Sequence, residues 1–486
     1  MPELEPDGTP VIVGDVEVVS PGLTGTVEVH YPGAAGLRGP EDASDLLLGA
    51  LDAAGLQSQL TVEITDQAEQ PEAAGAPSRS TSHGEAGLTI TVPGPGTGLG
   101  QVLLAVDESG TLSWVLPDDL PPPEAASRGS DRRSYTVPRS VAAGEATGSR
   151  GLIGAIGKKV LKVLAFRLLS AAAGTAALHF AARWEEAHHQ YRLRDFSPQT
   201  YASPDVPSLT AEDLSRLAAG PALLLIHDAM NLTHSGFGRL PAAAVADLHA
   251  RYGGRVFAFD HPTLSVSPTD NASRLAELAR GADLEVDILA HGRGGLVARV
   301  LSEHSGATGT SGITVRRLVM AGTPNAGTRL VDFEHLGDLV DTVTNVLDLF
   351  PDVGVTDILS TVISVVKQLA VGALTGLDGL TAMQPDGDYL RRLNQPGRDA
   401  AAYFAVASSY EPAPDAPLGR LARTRLTGAV FAGAGNDLVV PQKSVSATPF
   451  PIAESVTLTG DRSVDHFSYW SSPHVQAQLQ TWLQAG

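Results

Sequence analysis

The chain contains no cysteine among its 486 residues. This absence excludes disulfide bonds, cysteine-ligated metal sites and catalysis by a thiol. Residues 1–8 are acidic and contain no apolar run, so the sequence predicts no secretory signal peptide. From these two absences together we expect a cytoplasmic protein.

Basic residues are scarce, with 34 Lys and Arg against 54 Asp and Glu and a formal charge of −20 at pH 7. Such a chain repels a polyanion, so we expect no binding to nucleic acid. Hydrophobic residues make up 43% of the sequence, which supports a substantial core. The length allows two domains, or one large domain with appendages.

A long apolar stretch occurs at residues 160–182, and it is interrupted by charge. It contains Lys162, Arg167 and His179. Because charged side chains in the middle of a bilayer are costly, the sequence does not predict a transmembrane helix there.

Patterning divides the chain into four parts. Residues 1–118 contain short alternating apolar runs, which predict a β-rich accessory domain. Residues 119–150 are rich in Pro, Ser, Gly and Arg and predict a linker. A basic amphipathic helix is predicted within 151–199, and a large domain of mixed α/β type follows over 200–486.

The basic segment 151–170 allows two interpretations. Its cationic amphipathic pattern is typical of helices that lie on an anionic membrane surface or contact a partner protein. Alternatively, its apolar face packs on the C-terminal domain and its lysines face water. Further along the same predicted helix, Glu185 and His189 are one turn apart. We expect them to form a solvated i,i+4 pair rather than a metal site.

Apolar runs alternate with helical patterns from Pro221 onward, which predicts a parallel sheet covered by helices on both faces. The predicted strands are 222–226, 255–259, 286–290, 315–321, 403–407 and 428–432. Residues 329–399 interrupt the alternation with helical patterns only. We expect this insertion to form a lid over a pocket.

A glycine-dense turn follows the predicted strand 286–290 and precedes a helix that starts near Leu296. A strand, a sharp turn and a helix are the context of the motif G-x-S-x-G, whose serine is a nucleophile. The five aligned positions here are Ala290, His291, Gly292, Arg293 and Gly294. Gly292 stands at the serine position and has no side chain that could attack a substrate.

Residues 200–486 resemble the α/β-hydrolase superfamily, and within it the bacterial lipase-like esterases. The resemblance depends on five short motifs in chain order: 226–229, 290–299, 322–327, 435–441 and 465–469. It implies an α/β-hydrolase fold, a helical lid over residues 329–399 and the order elbow, acid, histidine.

The resemblance also implies roles for particular residues. Asp437 would be the triad acid and His466 the triad base, while the backbone N–H groups of Ala229 and Arg293 would form an oxyanion hole. The residues expected beside the pocket are His227, Asp228, His291 and Thr323. Neither a cofactor nor a metal ion is expected, and an acyl ester or another apolar small molecule is the expected ligand.

The missing serine leaves three hypotheses open. The chain is a catalytically silent lipase-like protein that binds a ligand or a partner, or a serine esterase whose serine was substituted, or an enzyme with different chemistry in the same pocket. Replacement nucleophiles to consider are Ser235, Ser265, Thr323 and a water molecule activated by His466. Asp228 stands where glycine is usual, and its carboxylate would oppose developing negative charge unless it points away.

Overall fold

The structure is a computed structural model of the full chain. It describes residues 2–32, 45–69, 87–107, 111–119, 132–137, 159–168, 179–303, 312–348, 355–395, 401–412 and 430–484.

The N-terminal part forms two antiparallel sheets, as its alternating apolar pattern predicts. Its elements are β1 Glu3–Leu4, β2 Val11–Val13, β3 Val16–Val19, β4 Leu23–His30, α1 Asp45–Ala53, β5 Gln57–Glu69, β6 Leu88–Pro93, β7 Leu99–Val106, β8 Leu112–Val115, β9 Arg132–Val137 and β10 Lys159–Arg167. The larger sheet has the order β1-β4-β5-β10-β7-β8 and the smaller one β2-β3-β6-β9. Alternate side chains of β3 and β6 are buried between the sheets.

The prediction of a helix within residues 151–199 is wrong over much of that range. Lys159–Arg167 is strand β10, which pairs with β5 on one side and β7 on the other. Helical and extended periodicities are hard to distinguish in a short apolar run, and a strand in the sheet interior is apolar on both faces. Of the two interpretations of residues 151–170, the contact with a membrane or a partner therefore loses its helical basis over the part that the structure describes. Strand β9 also lies inside the predicted linker.

The C-terminal part forms one seven-stranded sheet flanked by helices. Its elements are α2 Phe180–His188, β11 Arg192–Asp195, α3 Ala211–Leu217, β12 Ala222–Ile226, α4 Thr233–Gly236, α5 Ala242–Arg251, β13 Val256–Asp260, α6 Pro268–Leu278, β14 Leu284–His291, α7 Gly294–Glu303, β15 Ile313–Ala321, α8 Leu336–Asp348, α9 Val355–Ala370, α10 Asp378–Thr381, α11 Asp388–Leu393, β16 Ala402–Ser408, α12 Gln442–Val445, β17 Ile452–Leu458 and α13 Pro473–Trp482.

The strand order of this sheet is β11-β13-β12-β14-β15-β16-β17, and the pairs from β13 to β17 are all parallel. Only β11, at one edge, runs antiparallel to its neighbour. Strands β12 and β13 are buried along their whole length. This is the doubly covered, mostly parallel sheet of an α/β-hydrolase fold, and the predicted fold class is confirmed.

Two strands of this sheet differ from the predicted set. Residues 192–195 form the edge strand β11, where the sequence predicted the region just after a helix. The last strand is Ile452–Leu458, whereas the described residues of the predicted strand 428–432 form a helical turn. Six of the seven residues of strand β17 are exposed or half-buried, so its sequence lacks the apolar run that marks the interior strands.

Helices α8 and α9 lie between β15 and β16, where the helical insertion was predicted. Helix α8 also contacts the edge strand β8 of the N-terminal sheet. Asn345 accepts from the Leu112 N–H at 2.7 Å and donates to the Leu112 carbonyl at 2.7 Å. Asp341 accepts from the Trp114 N–H at 2.7 Å. Side chains of the lid helix thus satisfy backbone groups that an edge strand leaves unpaired.

Among the helices that the structure describes, none has both the length and the apolar character needed to cross a bilayer.

Candidate functional site

The centre of the candidate site is the tight turn between β14 and α7. Gly292 has a φ of +49°, in the left-handed region that a glycine adopts without strain. A Cβ atom on Gly294 would overlap the carbonyl oxygens of Ile226 and His227. The two glycines therefore allow the turn to pass directly over the end of β12, which brings it against the loop that carries Asp228.

Asp228 fills the space beside this turn. Its Oδ1 accepts a hydrogen bond from the backbone N–H of Arg293 at 2.6 Å. A Cβ atom built on Gly292 would overlap the Asp228 carboxylate, so no side chain at 292 can coexist with the present position of Asp228. The sequence left open whether this carboxylate points away from the pocket, and the structure places it in the pocket.

His466 lies between two carboxylates. Its Nδ1 is 2.8 Å from Asp437 Oδ2 and its Nε2 is 2.9 Å from Asp228 Oδ2. Both ring nitrogens therefore donate to carboxylate oxygens, which requires the imidazolium form. The predicted acid and the predicted base are thus in contact, and Asp228 adds a third member to the group.

Asp437 is held by its own loop. Its Oδ1 accepts from the backbone N–H groups of Val439 at 3.0 Å and Val440 at 2.7 Å. Its Oδ2 accepts from the Tyr469 hydroxyl at 2.8 Å in addition to His466. With these four donors, both oxygens of the buried carboxylate are satisfied. Tyr469 ends the motif 465–469, but no role in the site was predicted for it.

Burial and charge act in opposite directions on this group. Burial by itself would lower the pKa of His466, but the carboxylates of Asp437 and Asp228 outweigh it and raise the pKa to about 10. Burial would raise the pKa of Asp228, yet the charge and hydrogen bond of His466 hold it well below its usual range. At neutral pH the three side chains are therefore two carboxylates around one imidazolium.

His291 and His227 support the site from behind. His291 donates from Nε2 to the backbone carbonyl of His466 at 2.9 Å, and its ring stacks on that of His466. His227 donates from Nδ1 to the carbonyl of Asp228 at 2.8 Å. Burial lowers the pKa of each to about 4, so both are neutral and act by positioning the two loops.

Two of the predicted replacement hydroxyls, those of Ser235 and Ser265, are hydrogen-bonded elsewhere, and the buried hydroxyl of Thr323 has no hydrogen-bond partner in the described structure. Ser235 Oγ bonds to the backbone of Leu232 at the start of α4. Ser265 Oγ donates to Glu185 at 2.7 Å. The Thr323 side chain packs against the position of Gly295 under helix α7. The hydrogen bonds of the His466 ring go to Asp228 and Asp437, so it is bonded to none of these three hydroxyls.

One group of potential metal ligands lies at this site. Nitrogen or oxygen atoms of Asp228, His291 and His466 are all within 4.8 Å of one another. The rings of the two histidines are stacked, with 28° between their planes. His466 donates from both ring nitrogens, so in this arrangement it has no lone pair to offer a metal ion. Hydrogen bonds engage both nitrogens of His466, both oxygens of Asp228 and Nε2 of His291.

A partly enclosed cavity lies above Asp228 and Gly292. Its walls are mainly apolar and come from the loop after β12, the lid and the loop after Asp437. The lining side chains include Ala229, Met230, Val331, Leu339, Val343, Leu380, Met383, Val439, Val440 and Phe467. A mainly apolar lining with a few polar groups is typical of small-molecule pockets.

Arg293 ties the turn to the lid. Its guanidinium donates from Nε to the Gly379 carbonyl at 2.8 Å and from Nη2 to Asn271 at 3.0 Å. Burial lowers its pKa to about 10, so it remains charged at neutral pH. The sequence predicted a role for its backbone N–H alone. Its side chain shows that the lid is attached to the turn itself.

Glu185 and His189 are buried, contrary to the solvated pair that was predicted. Glu185 accepts from the backbone N–H groups of Leu264 at 2.7 Å and Ser265 at 2.9 Å, and also from that of Thr263. It therefore holds the loop after β13. Because the predicted helix was too long, the sequence did not reveal that α2 packs on this loop.

The model of a family described as "Domain of unknown function (DUF7379)" matches residues 188–484. Among curated proteins, none matches this chain.

The similar solved structures include lipases. The mature lipase BlEst2 of Bacillus licheniformis is 16% identical, with a TM-score of 0.39 over 61% of this chain and 98% of that chain. Lipase 1 of Pelosinus fermentans is 12% identical, with a TM-score of 0.38 over 54% of this chain and 98% of that chain. Phospholipase PlaB of Legionella pneumophila is 13% identical, with a TM-score of 0.35 over 55% of this chain and 60% of that chain.

Proposed function

We propose that the lipase-like domain of this chain binds an apolar small molecule and does not catalyse acyl transfer. The chain belongs to the family described as "Domain of unknown function (DUF7379)". The observation that carries this proposal is the position of Asp228. Its carboxylate takes the space of a side chain at 292 and accepts the hydrogen bond of His466 Nε2.

A serine hydrolase needs a hydroxyl nucleophile, a neutral histidine to accept its proton and free N–H donors for the oxyanion. Position 292 is glycine and supplies no hydroxyl. His466 is protonated between two carboxylates and cannot act as a base. The Arg293 N–H already donates to Asp228. The nucleophile is therefore missing, the base is already protonated and one of the two oxyanion donors is engaged, while the apolar cavity remains available for binding.

The test compares four proteins on short-chain nitrophenyl esters: the parent, Gly292→Ser, the double variant Asp228→Gly with Gly292→Ser, and that double variant with His466→Ala. We expect no turnover by the parent and none by Gly292→Ser, because Asp228 blocks the new hydroxyl. The double variant removes the blocking carboxylate and should gain activity that disappears with His466→Ala. Ester hydrolysis by the parent that depends on His466 would overturn the proposal.

A second candidate is a serine esterase whose serine was substituted in this chain. The contact between Asp437 and His466 favours it, because that pair has the geometry of a triad acid and base. Turnover by the single variant Gly292→Ser would support this candidate, since a recent loss requires one change only. Activity that appears only after Asp228 is also replaced would support the first proposal.

A fluorophosphonate probe gives an independent measurement because it labels activated hydroxyl groups covalently. The parent should remain unlabelled and the double variant should be labelled at position 292. Covalent labelling of the parent at another hydroxyl beside His466 would show that a different nucleophile operates and would contradict the proposal.

A further inference from the structure

Among the polar side chains that line the cavity in the described structure, that of Asp228 is the most exposed. The Asp228 side chain keeps 9% of its exposure, whereas the side chains of His466 and Asp437 keep 1% each. Each Asp228 oxygen accepts one hydrogen bond from the protein in the described structure, to Arg293 N–H or His466 Nε2. A carboxylate oxygen has two lone pairs, so acceptor capacity remains on the cavity side.

Most donors at the same floor are already engaged, and the exception among the lining side chains is Nη1 of Arg293, which has no partner in the described structure. Both His466 nitrogens donate to carboxylates, and the backbone N–H of Arg293 donates to Asp228. The Arg293 guanidinium donates to Gly379 and Asn271, behind the turn, and its strongest charge interaction is with Glu185. Another polar side chain of the lining, Thr328, donates to the Val439 carbonyl. A bound carboxylate would therefore meet an acceptor of like charge.

The net charge of the site also disfavours a bound carboxylate. The central group contains two carboxylates, Asp228 and Asp437, and one imidazolium, His466, so it carries one net negative charge. A buried charge is stable only when it is paired and hydrogen-bonded. A cationic head group that donates hydrogen bonds to Asp228 would be paired in this way, and its aliphatic chain would contact the apolar walls.

We infer that the cavity binds a long-chain aliphatic primary amine, with its ammonium group donating to Asp228 and its chain between the lid and the loop after Asp437. The inference rests on the proposed function, since it names the class of ligand for that same cavity. It also reverses the preference expected of a lipase site, which would hold the oxyanion of an ester or a fatty acid.

Isothermal titration calorimetry of the full chain with decylamine, decanol and decanoate tests the inference at pH 7.5, below the concentrations at which these compounds form micelles. We expect decylamine to bind with one-to-one stoichiometry and at least about tenfold more tightly than decanoate, because a charge-assisted hydrogen bond replaces repulsion. Decanol should lie between them.

Two variants assign the preference to the cavity. Asp228→Asn keeps the shape of the side chain and removes its charge, so the preference for the amine over decanoate should fall to about threefold or less. Asp338→Asn removes an exposed charge on helix α8 of the lid, at a residue that pairs with His335. This control should keep the full preference, and it corrects for weak attraction of amines to an acidic protein.

A third variant, Val343→Phe, reduces the volume of the cavity wall and should weaken binding of all three compounds, while circular dichroism confirms that each variant is folded. Decanoate binding as tightly as decylamine would overturn the inference, and so would an unchanged preference in Asp228→Asn or no binding at all. These outcomes are separate from ester turnover, which tests the proposed function.

Discussion

Asp228 and Gly292 compete for one position: the Asp228 carboxylate occupies the volume that any side chain at residue 292 would need. The two residues are therefore a matched pair. The carboxylate also supplies an acceptor for His466 and for the Arg293 N–H, which otherwise would be buried donors beside an empty space. Glycine at 292 is thus required by the neighbouring loop as well as by the positive φ.

This pairing predicts energetic coupling between the two positions. Gly292→Ala should lower the free energy of unfolding by roughly 2–4 kcal/mol, because Asp228 must leave its ion pair and the backbone is held at positive φ. In an Asp228→Gly background the same change should cost about 1–3 kcal/mol less. Urea unfolding of the four proteins of this cycle measures the difference, and strictly additive costs would show that the two residues do not compete.

The pair also predicts how stability depends on pH. His466 has its pKa raised to about 10 in the folded chain, so its contribution is fully present below an unfolded value of about 6.5 and is lost as pH rises through 10. Asp228 has its pKa lowered, so its contribution is present above about 4 and is lost in acid. The pair therefore stabilises the fold most between about pH 4 and 6.5.

Asp228→Asn removes one of the two carboxylates that raise the pKa of His466. Between pH 7 and 10 the parent should lose roughly 1–3 kcal/mol more stability than this variant, since one pKa unit corresponds to about 1.4 kcal/mol. Chemical unfolding at several pH values gives both curves, with Asp338→Asn as the exposed control. Parallel curves for the parent and Asp228→Asn would contradict an imidazolium held between two carboxylates.

Some of this architecture was predictable from sequence, and the reasons differ between elements. Strand β12 was predicted at its observed bounds, because a five-residue apolar run follows Pro221 and ends at His227. Strand β10 was misread as helix, because Lys159 and Lys162 have helical spacing while the sheet buries both. Local periodicity does not contain the information that two neighbouring strands will cover a segment on both sides.

The candidate site shows the same limit. The motifs identified Asp437, His466 and Gly292, because each follows a strand in an expected loop. The position of the Asp228 side chain in the pocket depends on contacts between loops that are far apart in the chain. From the sequence alone, Asp228 could be identified only as a residue at a position where glycine is usual. Tyr469 is the last residue of the motif 465–469, but its hydrogen bond to Asp437 joins two separate loops and was not predicted from that motif.

The contact between the lid and the N-terminal sheet predicts that the two move together. Helix α8 lines the cavity with Leu339 and bonds to strand β8 through Asn345. Asn345→Ala leaves the N–H and carbonyl of Leu112 without this partner, which should cost about 1–3 kcal/mol. It should also speed amide hydrogen exchange in β8 and in α8. Asp338→Ala, which changes an exposed side chain on the same helix, is the control. Equal exchange rates in the two variants would show that the contact between Asn345 and Leu112 is weak.

Buried Glu185 predicts a large effect at a position that the sequence treated as solvent-exposed. Its carboxylate accepts from the backbone of Leu264 and Ser265, which follow β13 beside the site. Glu185→Gln places an amide against some of these N–H donors, so it should destabilise the fold by roughly 2–5 kcal/mol. Glu186→Gln, one residue away on the exposed side of α2, is the matched control and should change stability by less than about 0.5 kcal/mol.

Since Arg293 has its strongest charge interaction with Glu185, the loss of the Glu185 charge should also raise the rate of hydrogen exchange at the start of α7. Equal stability of the two variants would mean that water replaces Glu185 without cost, and that the loop after β13 does not depend on this carboxylate.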